Sequence, residues 1–224
     1  MNSARSTSTS RTLGLKRLVD CSRQPVYLTK AFYLMSAQPQ PYVTPKEYLA
    51  AERSATFKSE YYEGQVYAMA GASNEHTLVS GNLTTALNIA LRDTDCTVRA
   101  SDMRLHVADN RLYTYPDVSV VCGSPQFLPD AYLDTLLNPV LLIEVTSRST
   151  AQYDQEGKFL LYRNIASLRH YLLIDSRRVH VLYITRLEGD TWNFREYSQL
   201  TEQVDLSALH LEILVSEIYR KVPL

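Results

Sequence analysis

Residues 139–145 read Pro-Val-Leu-Leu-Ile-Glu-Val, a nearly unbroken apolar run. A run of this kind and length is what a central β-strand covered on both faces looks like. It therefore demands a sheet around it and cover on either side. Glu144 interrupts the run, and an unpaired carboxylate in such a place would cost several kcal/mol, on the order of the desolvation of a buried charge. Two compensations remain open. One is a buried basic partner; the other is a divalent cation, which calls for a second carboxylate nearby.

The flanking sequence supplies the rest of a mixed α/β domain with one helix-flanked sheet. Thr44, Pro45 and Glu47 form a capping box with proline at the first helical position, opening a helix that runs to about Ser54. Tyr61, Val66 and Tyr67 flank Glu63-Gly64, a turn signal between two short strands. Val79, Leu83, Ala86, Leu87 and Ala90 recur at helical spacing over residues 76–91, with His76 in the first turn. Strands are expected over 96–107 and 112–121, a helix over 154–165, strands over 169–175, 179–185 and 191–197, and a short helix near 215–220.

Residues 1–34 carry six basic side chains against one acid, Asp20, and begin Ser/Thr-rich. Residues 1–40 thus read as a basic disordered leader, with Met35 as the expected true start and 41–224 as the folded domain. The body is net −6, which is the chain's −1 less the +5 of residues 1–34. That balance excludes a globally basic nucleic-acid coat. Cys21, Cys96 and Cys122 are odd in number, widely spaced and without C-x-x-C, so neither a zinc knuckle nor a disulfide framework is indicated and a reducing, cytoplasmic setting is the default. Nothing approaches the roughly 18 apolar residues of a membrane span. Without a G-x-G-x-x-G, P-loop, G-x-S-x-G or H-E-x-x-H, the dinucleotide, nucleotide-triphosphate, serine-hydrolase and zincin classes lose their usual support.

A second carboxylate does stand in a β-rich run, at Asp117 in Tyr-Pro-Asp-Val-Ser-Val-Val. Pro116 implies a bulge or bend that can re-aim the side chain after it. Pro129-Asp130 repeats the dipeptide outside any β pattern and reads as a turn. On the helix after Glu144, Asp154, Lys158 and Tyr162 follow at i, i+4, i+8 and share a face. Lys158 either points back at the carboxylates or forms a surface pair with Asp154.

These segments, EYYEGQVYAMAGASNEH, YPDVSVVCG, NPVLLIEVTSRST and YDQEGKFLLYRNIASLRHYLLID, resemble the Uma-two family of bacterial restriction-endonuclease-like proteins within the PD-(D/E)XK nuclease superfamily, over about Pro41 to Tyr219. The resemblance implies a restriction-endonuclease-like fold, a central mixed β-sheet flanked by helices, and a Mg²⁺-dependent phosphodiesterase site for which Mn²⁺ can substitute. Asp117 then corresponds to the motif aspartate, Glu144 to the second carboxylate and Lys158 to the motif lysine; Glu60 and His76 match the upstream glutamate and the helix-start histidine. The lysine departs from the superfamily's usual place two residues after the acid, where Thr146 stands, and lies on the next helix instead. Thr146 and Arg148 also replace a common leucine and proline.

The chemistry so implied has Asp117, Glu144 and the Val145 carbonyl holding the ion through oxygens, with Lys158 orienting the nucleophile or neutralising charge on the phosphate. Glu60 would be a helper carboxylate. His76 is either a hydrogen-bonded wall residue or a participant in binding or proton transfer. Expected partners are nucleic acid, DNA above all, and a second copy of the chain, since duplex cleavage calls for two sites. Arg99, Arg104, Arg148, Arg163, Arg169, Arg177 and Arg178 are the cations on offer for phosphate, though scattered arginines more usually read as solvated surface. Two rival readings are a non-catalytic module that keeps the fold and an RNA-directed or structure-selective nuclease.

Overall fold

The protein is described by a computed structural model over residues 41–146 and 157–224. Residues 1–40, with Cys21 and Met35, and residues 147–156, with Arg148 and Asp154, lie outside the described residues. In chain order the elements are α1 (Pro45–Glu52), β1 (Ser59–Tyr62), β2 (Gln65–Ala68), α2 (Asn74–Leu91), β3 (Cys96–Ala100), β4 (Arg104–Val107), β5 (Leu112–Thr114), β6 (Val118–Cys122), β7 (Thr135–Leu136), β8 (Leu141–Thr146), α3 (Phe159–Tyr162), β9 (His170–Asp175), β10 (Val181–Arg186), β11 (Trp192–Tyr197), β12 (Gln203–Leu206), β13 (Leu211–Leu214) and α4 (Val215–Ile218).

The apolar run forms β8, buried at every position. It lies inside a six-stranded mixed sheet of order β11-β10-β9-β8-β6-β3, in which β8 and β9 are parallel and the other pairs antiparallel. Alternation along β8 sends Ile143 and Val145 to one face, where Val79, Leu83 and Leu87 of α2 pack with the β12–β13 hairpin and α4. Leu142 faces the other way, into a cluster with Phe159, Leu161 and Tyr162 of α3 and Tyr171 and Leu173 of β9. Glu144, two residues on, shares that second face.

Local chemistry sets the small elements. Thr44 and Glu47 cap α1 reciprocally: the Thr44 hydroxyl oxygen accepts from the Glu47 amide at 3.3 Å, and Glu47 Oε2 accepts from the Thr44 amide at 2.8 Å. Glu63 and Gly64 have φ of 45° and 90°, the two positive values that a primed hairpin turn requires. Gly64 is further constrained by Tyr42, whose ring occupies the space a side chain would need. Tyr48 and Leu49 of α1 pack on Tyr61 and Tyr113, with the three tyrosine ring centroids 5.1 to 5.7 Å apart.

The expectation of a single sheet is corrected. A second, five-stranded sheet of order β2-β1-β5-β4-β7 holds the first hairpin, and β12 and β13 form a separate pair. The runs expected as continuous strands over 96–107 and 112–121 are each broken and divided between the two larger sheets. Ser101–Met103 turn the chain from β3 into β4, and Tyr115–Asp117 carry it from β5 into β6. Pro116 gives the second break its cause, because proline has no N–H to continue a ladder. Cys96 and Cys122 face one another across β3 and β6 as a disulfide, which the cysteine spacing did not indicate.

His170 opens β9 fully inside the protein, 1% exposed, with Nδ1 2.6 Å from the Tyr183 hydroxyl. Its Nε2 has no partner among the described residues. Burial, helped by the charge of Arg169, pushes the imidazole pKa from 6.5 down to about 4. The folded state therefore binds its proton less readily than the unfolded chain. The contribution of His170 is constant above pH 6.5 and turns unfavourable as pH falls toward 4, by on the order of 3 kcal/mol over the full span. Urea unfolding at pH 7 and pH 4.5 should give a stability drop that His170→Gln reduces; an undiminished drop would assign it to other groups.

Candidate active site

The functional candidates come from five segments that the two sheets, α2 and α3 supply. Glu144 reaches toward α3 from β8 and is 4% exposed. Its Oε1 accepts a hydrogen bond from the Tyr162 hydroxyl at 2.6 Å and lies 3.4 Å from the Lys158 ammonium. Lys158, 6% exposed, also sits 3.0 Å from Oε1 of Glu60, which projects from β1 of the second sheet. Thr114 Oγ1 donates to the same Glu60 oxygen at 2.6 Å. One ammonium thus joins a carboxylate from each large sheet.

Asp117 stands where the chain leaves the second sheet for the first. Its Oδ2 accepts from the Val145 amide at 2.7 Å, and its Oδ1 lies 2.7 Å from His76 Nε2 in the first turn of α2. The last β6–β8 pair is Val118 with Ile143, so the edge of Val145 lies beyond the ladder. Asp117 occupies that gap. In extended backbone the carbonyl of a residue points to the same side as its amide. The Val145 carbonyl is therefore directed to the side of the strand that Asp117 caps, next to the residue that carries the Glu144 carboxylate.

The structure thus brings together Glu60, Glu144, Lys158 and Tyr162 by direct contact, and His76, Asp117 and Val145 by another set that shares β8 with the first. Lys158 and Tyr162, four apart, address the same oxygen, as their common face requires. Lys158 is buried against carboxylates, so the surface-pair reading does not describe it; Asp154 is outside the described residues. Burial and the neighbouring Glu144 charge raise the Tyr162 phenol pKa well above its ordinary value, which keeps the hydroxyl a donor. Among the described residues, no third histidine, cysteine or acid completes a set with Asp117 and Glu144 whose donor atoms all lie within 4.8 Å of one another.

A polar relay behind these residues was not foreseen. Glu52 accepts from the Ser59 amide at 2.9 Å and from the Tyr115 hydroxyl at 2.9 Å, and Arg104 Nη1 donates to Tyr115 at 3.0 Å. Ser59 precedes Glu60, and Tyr115 is two residues before Asp117. The relay ends in Asp134, which pairs with Arg104 at 2.7 Å and with Arg53 at 2.8 Å. Hydrogen bonds from Arg53 hold its carboxyl well below the usual range. Arg104, read from the sequence as solvated surface or a cation on offer for phosphate, is 4% exposed and committed to this relay, which corrects both readings. Arg177 and Arg178 are likewise engaged, both with Asp175. Asp130, in the turn read from Pro129-Asp130, pairs with Arg53 at 2.5 Å.

No helix among the described residues is long and apolar enough to cross a membrane. The family profile Uma2, described as "Putative restriction endonuclease", matches residues 45–216. Two proteins of Synechocystis sp. (strain ATCC 27184 / PCC 6803 / Kazusa) are similar over most of their length. "Uncharacterized protein slr1290" is 38% identical over 188 residues, covering 81% of this chain and 94% of its own. "Uncharacterized protein sll1609" is 34% identical over 169 residues, covering 75% and 95%. The crystal structure of "a putative nuclease belonging to DUF820" from Anabaena variabilis ATCC 29413 shares the fold, with TM-score 0.64 and 17% identity over 79% of this chain and 97% of that one.

Removing one partner of a buried ion pair leaves the other charge uncompensated, at a cost of about 3 to 5 kcal/mol. Lys158→Met should therefore lower the unfolding free energy by about that amount in metal-free buffer. Adding Glu60→Gln should recover part of it. A chemical-denaturation double-mutant cycle reads the coupling, and additive losses would mean that the two side chains do not interact.

Proposed function

The chain belongs to the Uma2 family, and from that premise we propose that it is a metal-dependent endonuclease hydrolysing phosphodiester bonds, DNA above all, with Asp117, Glu144 and Lys158 as its catalytic residues. The observation that carries the reading is the buried Lys158 ammonium, 3.4 Å from Glu144, whose neighbour Val145 holds Asp117 by its amide at 2.7 Å. Acid, acid and amine from three distant stretches of chain meet around one strand.

The donor set suits a hard divalent ion. Asp117, Glu144 and the Val145 carbonyl offer oxygens alone, the preference of Mg²⁺ and Mn²⁺ rather than of zinc. Among the described residues each Asp117 oxygen makes one hydrogen-bond contact, and it retains accepting capacity. When bound, the ion would polarise a phosphoryl oxygen and lower the pKa of a water. The remaining tasks fall to the protein. Lys158 neutralises charge that develops on the phosphate, and Glu60 holds the ammonium in place when Glu144 turns to another cation. His76 and the Val145 amide fix the two oxygens of Asp117, so the carboxylate is oriented before substrate arrives. Tyr162 does the same for Glu144 from the opposite side.

A homodimer presenting two such sites would cut both strands of a duplex; a monomer would nick one. The net-acidic body argues for contacts at a local patch rather than for tight non-specific binding. The test is to incubate supercoiled, linear and single-stranded DNA, and RNA, with the protein and Mg²⁺ or Mn²⁺, beside Asp117→Asn and Glu144→Gln of verified fold. Nicking should require the metal and fall by about two orders of magnitude or more in either variant. Equal cleavage by wild type and variants, or cleavage of no substrate, would leave a binding module with a nuclease fold. Preference for RNA would move the activity to the other nucleic acid.

A further inference from the structure

The far end of β6 carries a second cluster that the proposed hydrolysis does not use. The Gly123 amide donates to the Asp95 carbonyl at 3.0 Å, which makes Asp95 and Gly123 a hydrogen-bonded pair of the β3–β6 ladder. The next pair, Cys96 with Cys122, is then a non-hydrogen-bonded one, the kind in which opposed side chains approach most closely. Their Cα atoms are 3.8 Å apart. Both cysteines are half-buried at the rim of the main core, Cys96 on the edge strand β3 and Cys122 on β6 beside it, and Asp95 next to Cys96 is exposed. Among the described residues, this is the group of three potential ligands whose donor atoms all lie within 4.8 Å of one another.

Strand register holds the two sulfurs adjacent whether or not they are bonded, so the cluster has two chemical states. Oxidised, it is a disulfide and has no thiolate to offer. Reduced, it presents two sulfurs and one carboxylate oxygen around one point, a donor set unlike the all-oxygen set proposed at the opposite end of β6. Thiolates select borderline-soft ions, and three protein ligands with one water complete a tetrahedron. We propose that Cys96, Cys122 and Asp95 form an oxidation-gated site for a divalent ion of the zinc class, distinct from the nuclease centre and independent of its activity. Opening the site consumes two electrons: a phosphine reductant and one water convert the disulfide into two thiols and the phosphine oxide. Binding then displaces the two thiol protons, which pass to solvent as the two sulfur–metal bonds form.

The experiment uses the full chain, reduced with a phosphine, desalted without oxygen and titrated with Co²⁺ as the spectroscopic probe. One equivalent should produce a sulfur-to-cobalt charge-transfer band with visible d–d absorption, both abolished by one equivalent of Zn²⁺. The bands should be lost in Cys96→Ser, in Cys122→Ser and in protein left oxidised, and kept in Cys21→Ser; Asp95→Asn should shift the titration to higher cobalt concentration. The oxidised wild type makes the comparison without any substitution, so a variant that fails to fold does not decide the result. Absence of the bands from reduced wild type, their persistence in oxidised protein or in Cys96→Ser, or their loss in Cys21→Ser would overturn the proposal.

Discussion

The ammonium of Lys158 stands between two carboxylates that belong to different sheets, and most of the architecture is arranged so that it can. Glu144 sits in a strand covered on both faces, where its charge is tolerable only with a cation beside it. Glu60 comes from the other sheet and lies against the same ammonium. Replacing the trio by apolar side chains would suit stability as well or better, since buried ion pairs seldom repay their own desolvation. Under the proposed function the trio has a chemical use: a carboxylate meant to receive a metal could not be neutralised for good, and an amine able to yield to the ion would answer both demands.

Asp117 owes its place to a different constraint. The chain changes sheets at Tyr115–Asp117, and a strand that ends at a proline leaves the edge of its neighbour uncapped. The aspartate fills that edge by taking the Val145 amide, so its carboxylate lies beside the residue that follows Glu144. A helix terminus adds the histidine on the other oxygen. The relay through Arg104, Tyr115, Glu52 and Ser59 then ties the approach to Asp117 to the strand that bears Glu60. Both carboxylates are thereby set by contacts that lie outside the place where chemistry would occur.

Much of this was legible in the sequence where one short-range rule sufficed. The capping box of Thr44 and Glu47, the Glu63-Gly64 turn, the helical spacing from Val79 to Leu87 and the apolar β8 all appear where their residues put them. The charge of Glu144 announced that something must answer it, and Lys158 was one of the sources on offer, with a surface pair to Asp154 as its other reading. Division between sheets was not legible, because β3 and β4 read as one β-rich run and only tertiary pairing separates them. Arg104 looked like any surface arginine, since its partners Tyr115 and Asp134 are 11 and 30 residues away. Cys96 and Cys122 meet only through the β3–β6 register, which spacing does not reveal.

The parallel pairing of β8 with β9 orders events during synthesis. A parallel neighbour cannot follow by a tight turn, and the connection that brings β9 alongside is the one containing Lys158. On the ribosome, Glu60, Asp117 and Glu144 therefore emerge ahead of Lys158, the amine that lies against two of them, while β8 still lacks the strand on one flank. A nascent chain halted before residue 158 holds its acids without that counter-charge, and until β9 at His170–Asp175 is made, β8 exposes an apolar edge. The domain can close only late, when most of its length has been made.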